Sequence, residues 1–145
     1  MRASRVGPVP VAELTEAELI RHGEALGAAL ARPAFLCLEG DLGAGKTTLA
    51  AAILRGAGVT DAVTSPTYAV VHTYHTPAGP AHHADLYRLD GAEQLPPIGW
   101  DDLTASPDLV LVEWPDRAAG RLPAHARTLT LAHLAGDPTR RRLAW

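Results

Sequence analysis

One octapeptide constrains this chain more than any other feature. Gly40-Asp41-Leu42-Gly43-Ala44-Gly45-Lys46-Thr47 fits the pattern G-x-x-x-x-G-K-[ST] without a mismatch, and Thr48 follows it. A chance match in a chain of this length is roughly one in two hundred at ordinary residue frequencies. The setting narrows the reading further. Ala34 to Glu39, just before it, is a short and nearly continuous apolar run, which predicts a strand covered on both faces. Lys46 to Arg55, just after it, is rich in Thr, Leu and Ala and predicts a helix stopped at Gly56 and Gly58. A glycine-rich loop between buried strand and helix is the context this motif requires.

The residue types suit a polyphosphate. Such a ligand carries several negative charges and needs many donors at short range. Glycines let the backbone approach closely, so successive amides can form an anion nest. The following helix turns its positive end toward the same place. Gly40 to Thr48 is therefore the expected cradle, with Lys46 as a mobile cation for the β- and γ-phosphates. The Thr47 hydroxyl is a hard oxygen suited to magnesium. The alternative, a glycine-rich turn without a ligand, carries little weight in this context.

Composition removes whole classes of function. The chain has 145 residues, 47% of them apolar and 20% charged, which is ordinary for one globular domain. Its formal net charge of −3 supplies no field for holding nucleic acid by phosphate contacts alone. A single cysteine, Cys37, excludes an internal disulfide framework and suits a reducing compartment. No apolar run is long enough for a membrane helix, and Met1 to Val11 has no apolar core of a secretory signal. A cytoplasmic protein is expected. The chain has no Asn, so the N-K-x-D element that reads guanine is absent, and ATP is preferred over GTP. Lys46 is the one lysine of the chain, every other member of the Lys+Arg set being Arg. Nucleotide-composition bias explains most of that pattern, yet it left this lysine in place.

A phosphate loop needs a carboxylate to hold the magnesium shell or to polarise water. Leu109-Val110-Leu111-Val112-Glu113 is a second buried-strand pattern ending in an acid. Glu113 is the first candidate for magnesium, directly or through water, and for orienting the attacking water. Asp85 is the second candidate for chemistry. On a strand, His83, Asp85 and Tyr87 would share one face, with Arg88 next to them. Asp41 lies in the loop itself, where a turn role and a chemical role are both open. Zinc held by His72, His75, His82, His83 and Asp85 is a weaker alternative, because the spacing is not one that zinc sites use and no Cys pair is present.

The remaining organisation is that of an α/β sandwich. Residues 1–12 read as an extended lead-in. Thr15 with Glu18 has capping-box spacing, and Leu19, His22, Leu26, Ala29 and Leu30 recur at helical spacing until Pro33. A Ser65-Pro66 turn precedes a strand from Thr67 to Tyr74. After a turn at Thr76 to Pro80, His82 to Arg88 is the return strand of a hairpin. Ala92 to Leu103 reads as short helical pieces broken by Pro96-Pro97. Two weaker strands, Arg127 to His133 and Arg140 to Trp145, flank a Gly136-Asp137-Pro138 turn. The expected architecture is a single three-layer phosphate-loop domain over residues 1–145. Its central sheet would be mostly parallel, with an antiparallel hairpin. So small a domain leaves little chain for the acceptor site and lid of a small-molecule kinase. A compact ATPase that acts on, or is read by, another protein is preferred. A small-molecule kinase and a catalytically weak, nucleotide-gated binding module are the alternatives.

Four blocks in order carry a resemblance: Gly40 to Thr48, Ser65-Pro66-Thr67-Tyr68, His83-Ala84-Asp85-Leu86-Tyr87-Arg88-Leu89 and Leu111-Val112-Glu113-Trp114-Pro115. Together they resemble the TsaE (YjeE) family, small ATPases of bacterial tRNA threonylcarbamoyladenosine synthesis, over roughly residues 12 to 143. The resemblance implies a P-loop α/β fold, binding of ATP and Mg2+, and slow hydrolysis. It also implies work with TsaB and TsaD, the pair that modifies adenosine 37 of tRNA, so that tRNA is met only through these partners. By position, Lys46 and Thr47 match the family's phosphate and magnesium residues. Glu113 matches its strand-end acid and Asp85 its motif aspartate, while Thr67 and Trp114 occupy further motif positions. The stretch near the adenine corresponds to Leu19 to Gly23, where the family's frequent Thr is missing.

Overall fold

The apolar runs on either side of the glycine-rich loop become the centre of one sheet. The computed structural model describes residues 10–63 and 70–145. In chain order the elements are β1 (Val11–Thr15), α1 (Glu16–Ala29), β2 (Ala34–Glu39), α2 (Lys46–Gly56), β3 (Val71–Thr76) and β4 (Gly79–Asp85). Then come α3 (Trp100–Ala105), β5 (Leu109–Glu113), β6 (Arg127–Leu134) and β7 (Asp137–Ala144). The strands lie in the order β1-β7-β6-β2-β5-β4-β3. Four central strands, β6, β2, β5 and β4, run parallel, while β3 pairs antiparallel with β4 and β7 antiparallel with both β6 and β1. The result is a mixed α/β fold whose sheet is parallel in the middle.

Strands buried on both faces need covers on both. On β2, Ala34, Leu36 and Leu38 pack with Leu49, Ile53 and Leu54 of α2. Phe35 and Cys37, on the other side, pack with Trp100 and Leu103 of α3 and with Leu95. This alternation with period two creates the three layers. It also fixes the side on which the C-terminal ends of the strands meet the start of α2.

The end of α1 and the seam it makes with α2 differ from the expected apolar stripe. The capping box forms, with Glu18 N–H donating to Thr15 Oγ1 and Thr15 N–H donating to Glu18 Oε1. Of the expected series, Leu19 is buried and Leu26 and Leu30 pack against the core half-buried, but Ala29 is exposed and the other two fully buried positions of α1 are Gly23 and Gly27. A Cβ on Gly27 would stand 2.0 Å from the carbonyl oxygen of Ile53. The two helices therefore touch backbone to backbone, which larger side chains on α1 would prevent.

Several strand boundaries also move. β3 runs on past Tyr74 to Thr76 and β4 starts at Gly79, so the expected turn at Thr76 to Pro80 shrinks to Pro77 and Ala78. The return strand covers Gly79–Asp85 and stops before Tyr87, so Tyr87 and Arg88 lie in the turn beyond it. The last strand begins at Asp137, directly after the turn, and not at Arg140. Residues 11 and 12 of the supposed lead-in belong to β1, which covers the outer edge of β7 and gives the sheet a second antiparallel flank. An exposed edge of unpaired amides is thereby pushed out to a short polar strand. The short helical pieces after residue 92 form as expected, as 3-10 turns at Ala92–Gln94 and Pro96–Ile98 followed by α3. The Ser65-Pro66 turn, Thr67 and Tyr68 lie outside the described residues.

Candidate nucleotide site

Parallel register brings three chain segments to one place. Leu38 of β2 pairs with Glu113 of β5, and Glu113 in turn pairs with Asp85 of β4. All three stand at the C-terminal ends of their strands, where open α/β sheets hold ligands. The glycine-rich loop leaves β2 at the same end. Gly40 takes a φ of +151° and runs so close to β6 that a Cβ would lie 2.4 Å from the Leu131 carbonyl oxygen. Gly45, at φ +104°, then turns the chain into α2.

The two long helices begin in contrasting ways. The first turn of α1 has a side-chain cap and two acidic residues, whereas α2 has no side-chain cap hydrogen bond and no acid in its first turn. The first amides of a helix have no intrahelical partner. Those of α2 thus begin in a glycine-rich setting with neither a capping side chain nor an acid in the helix's own first turn.

Lys46 is 5% exposed and folds back over the loop. Its Nζ donates to the carbonyl oxygens of Gly40 and of Asp41, the latter at 2.9 Å. The same ammonium lies 4.3 Å from the centroid of the Trp114 ring. Trp114 directly follows Glu113 and adopts a left-handed φ of 58°, which bends the chain so that its ring covers Lys46. Tyr87 packs against Trp114 at a tilt of 46°, with 4.9 Å between ring centroids.

Thr47 and Glu113 meet across the base of the cleft. Thr47 Oγ1 is 3.3 Å from Glu113 Oε1 and 3.4 Å from Oε2. Two neighbouring oxygens on octahedral magnesium, each about 2.1 Å from the metal, are about 3 Å apart. This donor pair therefore fits a hard cation with small adjustment. Among the described residues no three His, Cys, Asp or Glu side chains cluster as a metal cage, so phosphate and water would supply the remaining ligands. Glu113 is 2% exposed, and its Oε2 lies 2.7 Å from Nε2 of the fully buried His83. Asp85 is half-buried and accepts the Tyr87 amide at 3.0 Å. Burial pushes its carboxyl above the ordinary range and the Glu113 charge adds to that. The Tyr87 amide, His83 and Lys46 oppose it.

Leu42, Gly43, Gly45, Lys46, Thr47, Thr48, Asp85 and Glu113 line one cleft of about 380 Å³, together with Tyr87 and Trp114. The other expected cradle residues stand behind it. Gly40 and Asp41 give carbonyls to Lys46, and Ala44 is fully buried. A second hollow of about 290 Å³ shares Gly43, Gly45 and Thr48 and extends to Glu16, Leu19, Thr139 and Arg141. Leu19 falls in the stretch that the resemblance places near an adenine, whereas no local pattern points to Thr139 or Arg141, because β7 reaches the loop only through the sheet order. The hairpin histidines do not converge on a metal: His82 pairs with Asp108 at 2.9 Å, while its neighbour His83 points to Glu113. A larger hollow of about 890 Å³, between α1 and residues 122–129, has no carboxylate among its lining residues and lies away from the loop.

The sequence profile described as "Threonylcarbamoyl adenosine biosynthesis protein TsaE" matches residues 14–143. The chain belongs to the TsaE family. A TsaE protein of Bacillus subtilis is 36% identical over 116 residues, 79% of this chain and 72% of that protein. One from Treponema pallidum is 32% identical over 115 residues, covering 79% and 84%. For the TsaE of a Nostoc species, 39% identity extends over 98 residues, 66% of this chain but 60% of that protein. The match thus spans somewhat over half the length of some TsaE relatives. All three carry the name tRNA threonylcarbamoyladenosine biosynthesis protein TsaE. The crystal structure of Bacillus subtilis YdiB superimposes with a TM-score of 0.75 at 28% identity, over 96% of this chain and 86% of that one.

Proposed function

We propose that this TsaE-family chain binds ATP with Mg2+ and hydrolyses it slowly, as an accessory factor of threonylcarbamoyladenosine modification at position 37 of tRNA. The single observation that carries the ATP reading is the start of α2. It is an uncapped helix end behind a glycine loop, with a buried lysine and a Thr47–Glu113 oxygen pair in one cleft. The names of the relatives supply the tRNA role.

The roles follow from charge and reach. The loop amides and Lys46 hold the β- and γ-phosphates, and Lys46 trades the Gly40 and Asp41 carbonyls for phosphate oxygens. Thr47 and Glu113 hold magnesium, which when bound neutralises phosphate charge. Glu113 orients the attacking water, and Asp85, beside it in register, completes the acidic wall. The second hollow offers room for the nucleoside end. With a net charge of −3 the protein meets tRNA through its partners, TsaB and TsaD, in the cytoplasm. No helix among the described residues is long and apolar enough to cross a membrane.

Calorimetry with MgATP, followed by turnover with and without TsaB and TsaD, tests this. Saturable heat and slow phosphate release that the pair accelerates are expected. No heat overturns the ATP reading, and phosphate transfer to an added nucleoside or sugar would favour the kinase alternative.

A further inference from the structure

His83 is a fully buried imidazole in the sheet, with no part in the roles above. Its two nitrogens differ. Nε2 lies 2.7 Å from Glu113 Oε2, and Nδ1 is buried with no hydrogen-bond partner among the described residues. A carboxylate only accepts. A bare Nε2 would set two lone pairs against each other at that distance and leave a buried N–H on Nδ1 unpaired. Protonated Nε2 with bare Nδ1 avoids both costs, since orphaned donors are the rarer and more costly defect.

We propose that His83 is a positioning residue: its Nε2–H anchors Oε2 of Glu113 and so presents Oε1 to Thr47 on the open side of the cleft. This rests on the ATP reading above. The geometry supports a division of labour within one carboxylate. Thr47 Oγ1 is nearly equidistant from the two oxygens, at 3.3 Å from Oε1 and 3.4 Å from Oε2, so the asymmetry comes from His83, which approaches Oε2 alone at 2.7 Å and leaves Oε1 as the oxygen to share a cation with Thr47. Parallel register supplies the rest, because His83 pairs with Leu111 two residues before Glu113 and so faces the same side of the sheet. Imidazoles and carboxylates behind a metal ligand commonly fix its orientation in this manner.

Two polar variants separate positioning from mere filling. In His83→Gln the amide nitrogen can take the place of Nε2, whereas in His83→Asn it reaches only as far as Nδ1. Mn2+ affinity in the presence of ADP, read by electron paramagnetic resonance, is expected to be near wild type in His83→Gln. In His83→Asn it should be about 10–100-fold weaker. ADP affinity in excess chelator should be the same in all three, and kcat for ATP should fall in His83→Asn at unchanged KM. Wild-type Mn2+ affinity in His83→Asn overturns the proposal. So does a parallel loss of metal-free ADP affinity, which would mark a purely structural role. Imidazole 15N shifts of the wild-type protein decide the point even if no nucleotide binds. A protonated Nε2 is expected, and a bare Nε2 overturns the proposal, whereas failure to bind ADP at all would count against the ATP reading alone.

Discussion

Asp85 and Glu113 stand opposite one another on neighbouring parallel strands, two acids in register at the mouth of a half-buried cleft. Their proximity has a thermodynamic consequence. Burial, and then the Glu113 charge, raise the Asp85 carboxyl above its ordinary value. A carboxyl whose native value is raised holds its proton more tightly folded than unfolded. Well below about pH 4 both states are protonated and the site costs nothing. As pH rises toward the raised native value, the unfolded chain releases its proton first and stability falls. Above that value the full cost persists.

Asp85→Asn removes that cost while keeping an oxygen for the Tyr87 amide. Without magnesium or nucleotide, the variant should melt at a higher temperature than wild type at pH 7, and the gap should close below about pH 4. Thermal melts across that range check it. A lower melting temperature at pH 7 would show that Asp85 stabilises the apo fold. A gain in stability with loss of turnover would mark the acid as kept for function.

Lys46→Met keeps the aliphatic stem under Trp114 and deletes the charge. Among the described residues the ammonium donates to two carbonyls of its own loop, and carbonyls tolerate a lost donor better than amides tolerate a lost acceptor. Folding should therefore change little. MgATP affinity should fall by about 10–150-fold, the range for a charge-assisted hydrogen bond of about 1.5–3 kcal/mol. Calorimetry reads it directly, and unchanged affinity would remove the phosphate role of the loop.

Glu113→Gln separates binding from chemistry. The amide keeps an oxygen and the shape of the side chain, so nucleotide should still bind, but the charge proposed to hold magnesium and polarise water is gone. Turnover should drop by about 100-fold or more, within the range for losing a positioned acid–base group. Single-turnover phosphate release measures it, and a rate within threefold of wild type would move the catalytic role away from Glu113.

What the sequence made legible, and what it hid, follows from the range of each interaction. The loop, its strand and its helix were readable because G-x-x-x-x-G-K-T, the run Ala34 to Glu39 and the helix Lys46 to Gly56 are local patterns. Glu113 was readable because a strand-end acid needs only its own strand. The pairing of His83 with Glu113 was not, since it spans thirty positions and depends on β4 lying beside β5. Tyr87 was placed on a strand by period-two counting. The strand instead ends at Asp85, whose side chain accepts the Tyr87 amide and starts a turn. The glycine face of α1 was invisible to a hydrophobic pattern, because what it packs against is backbone.

That glycine seam is directly testable. A Cβ at Gly27 would lie 2.0 Å from the Ile53 carbonyl oxygen and 2.9 Å from its carbon, so α1 and α2 must separate to accept it. Helix propensity alone would favour Ala by about 1 kcal/mol. Overpacking against rigid backbone should outweigh this and leave Gly27→Ala destabilised by about 1–3 kcal/mol. Urea titration measures it, and a stabilised variant would mean that the helices sit further apart.

Cys37 offers a probe of the sheet itself. It lies on β2 between β5 and β6 and is fully buried. Burial, with a smaller contribution from the Glu39 charge, pushes its thiol up to about 12. Only the thiolate reacts with a disulfide reagent, so at pH 8 the native protein should remain unlabelled by Ellman's reagent over hours. Reaching Cys37 requires the central strand to separate from its neighbours or the α3 layer to lift away, which removes the packing of Phe35 and Val110 as well. Labelling should therefore follow global unfolding and accelerate in urea in step with loss of the fold. MgATP should slow it further if nucleotide stabilises the native state by mass action. Prompt labelling of the folded protein would show that the layer over Phe35 and Cys37 opens locally while the rest of the fold stays intact.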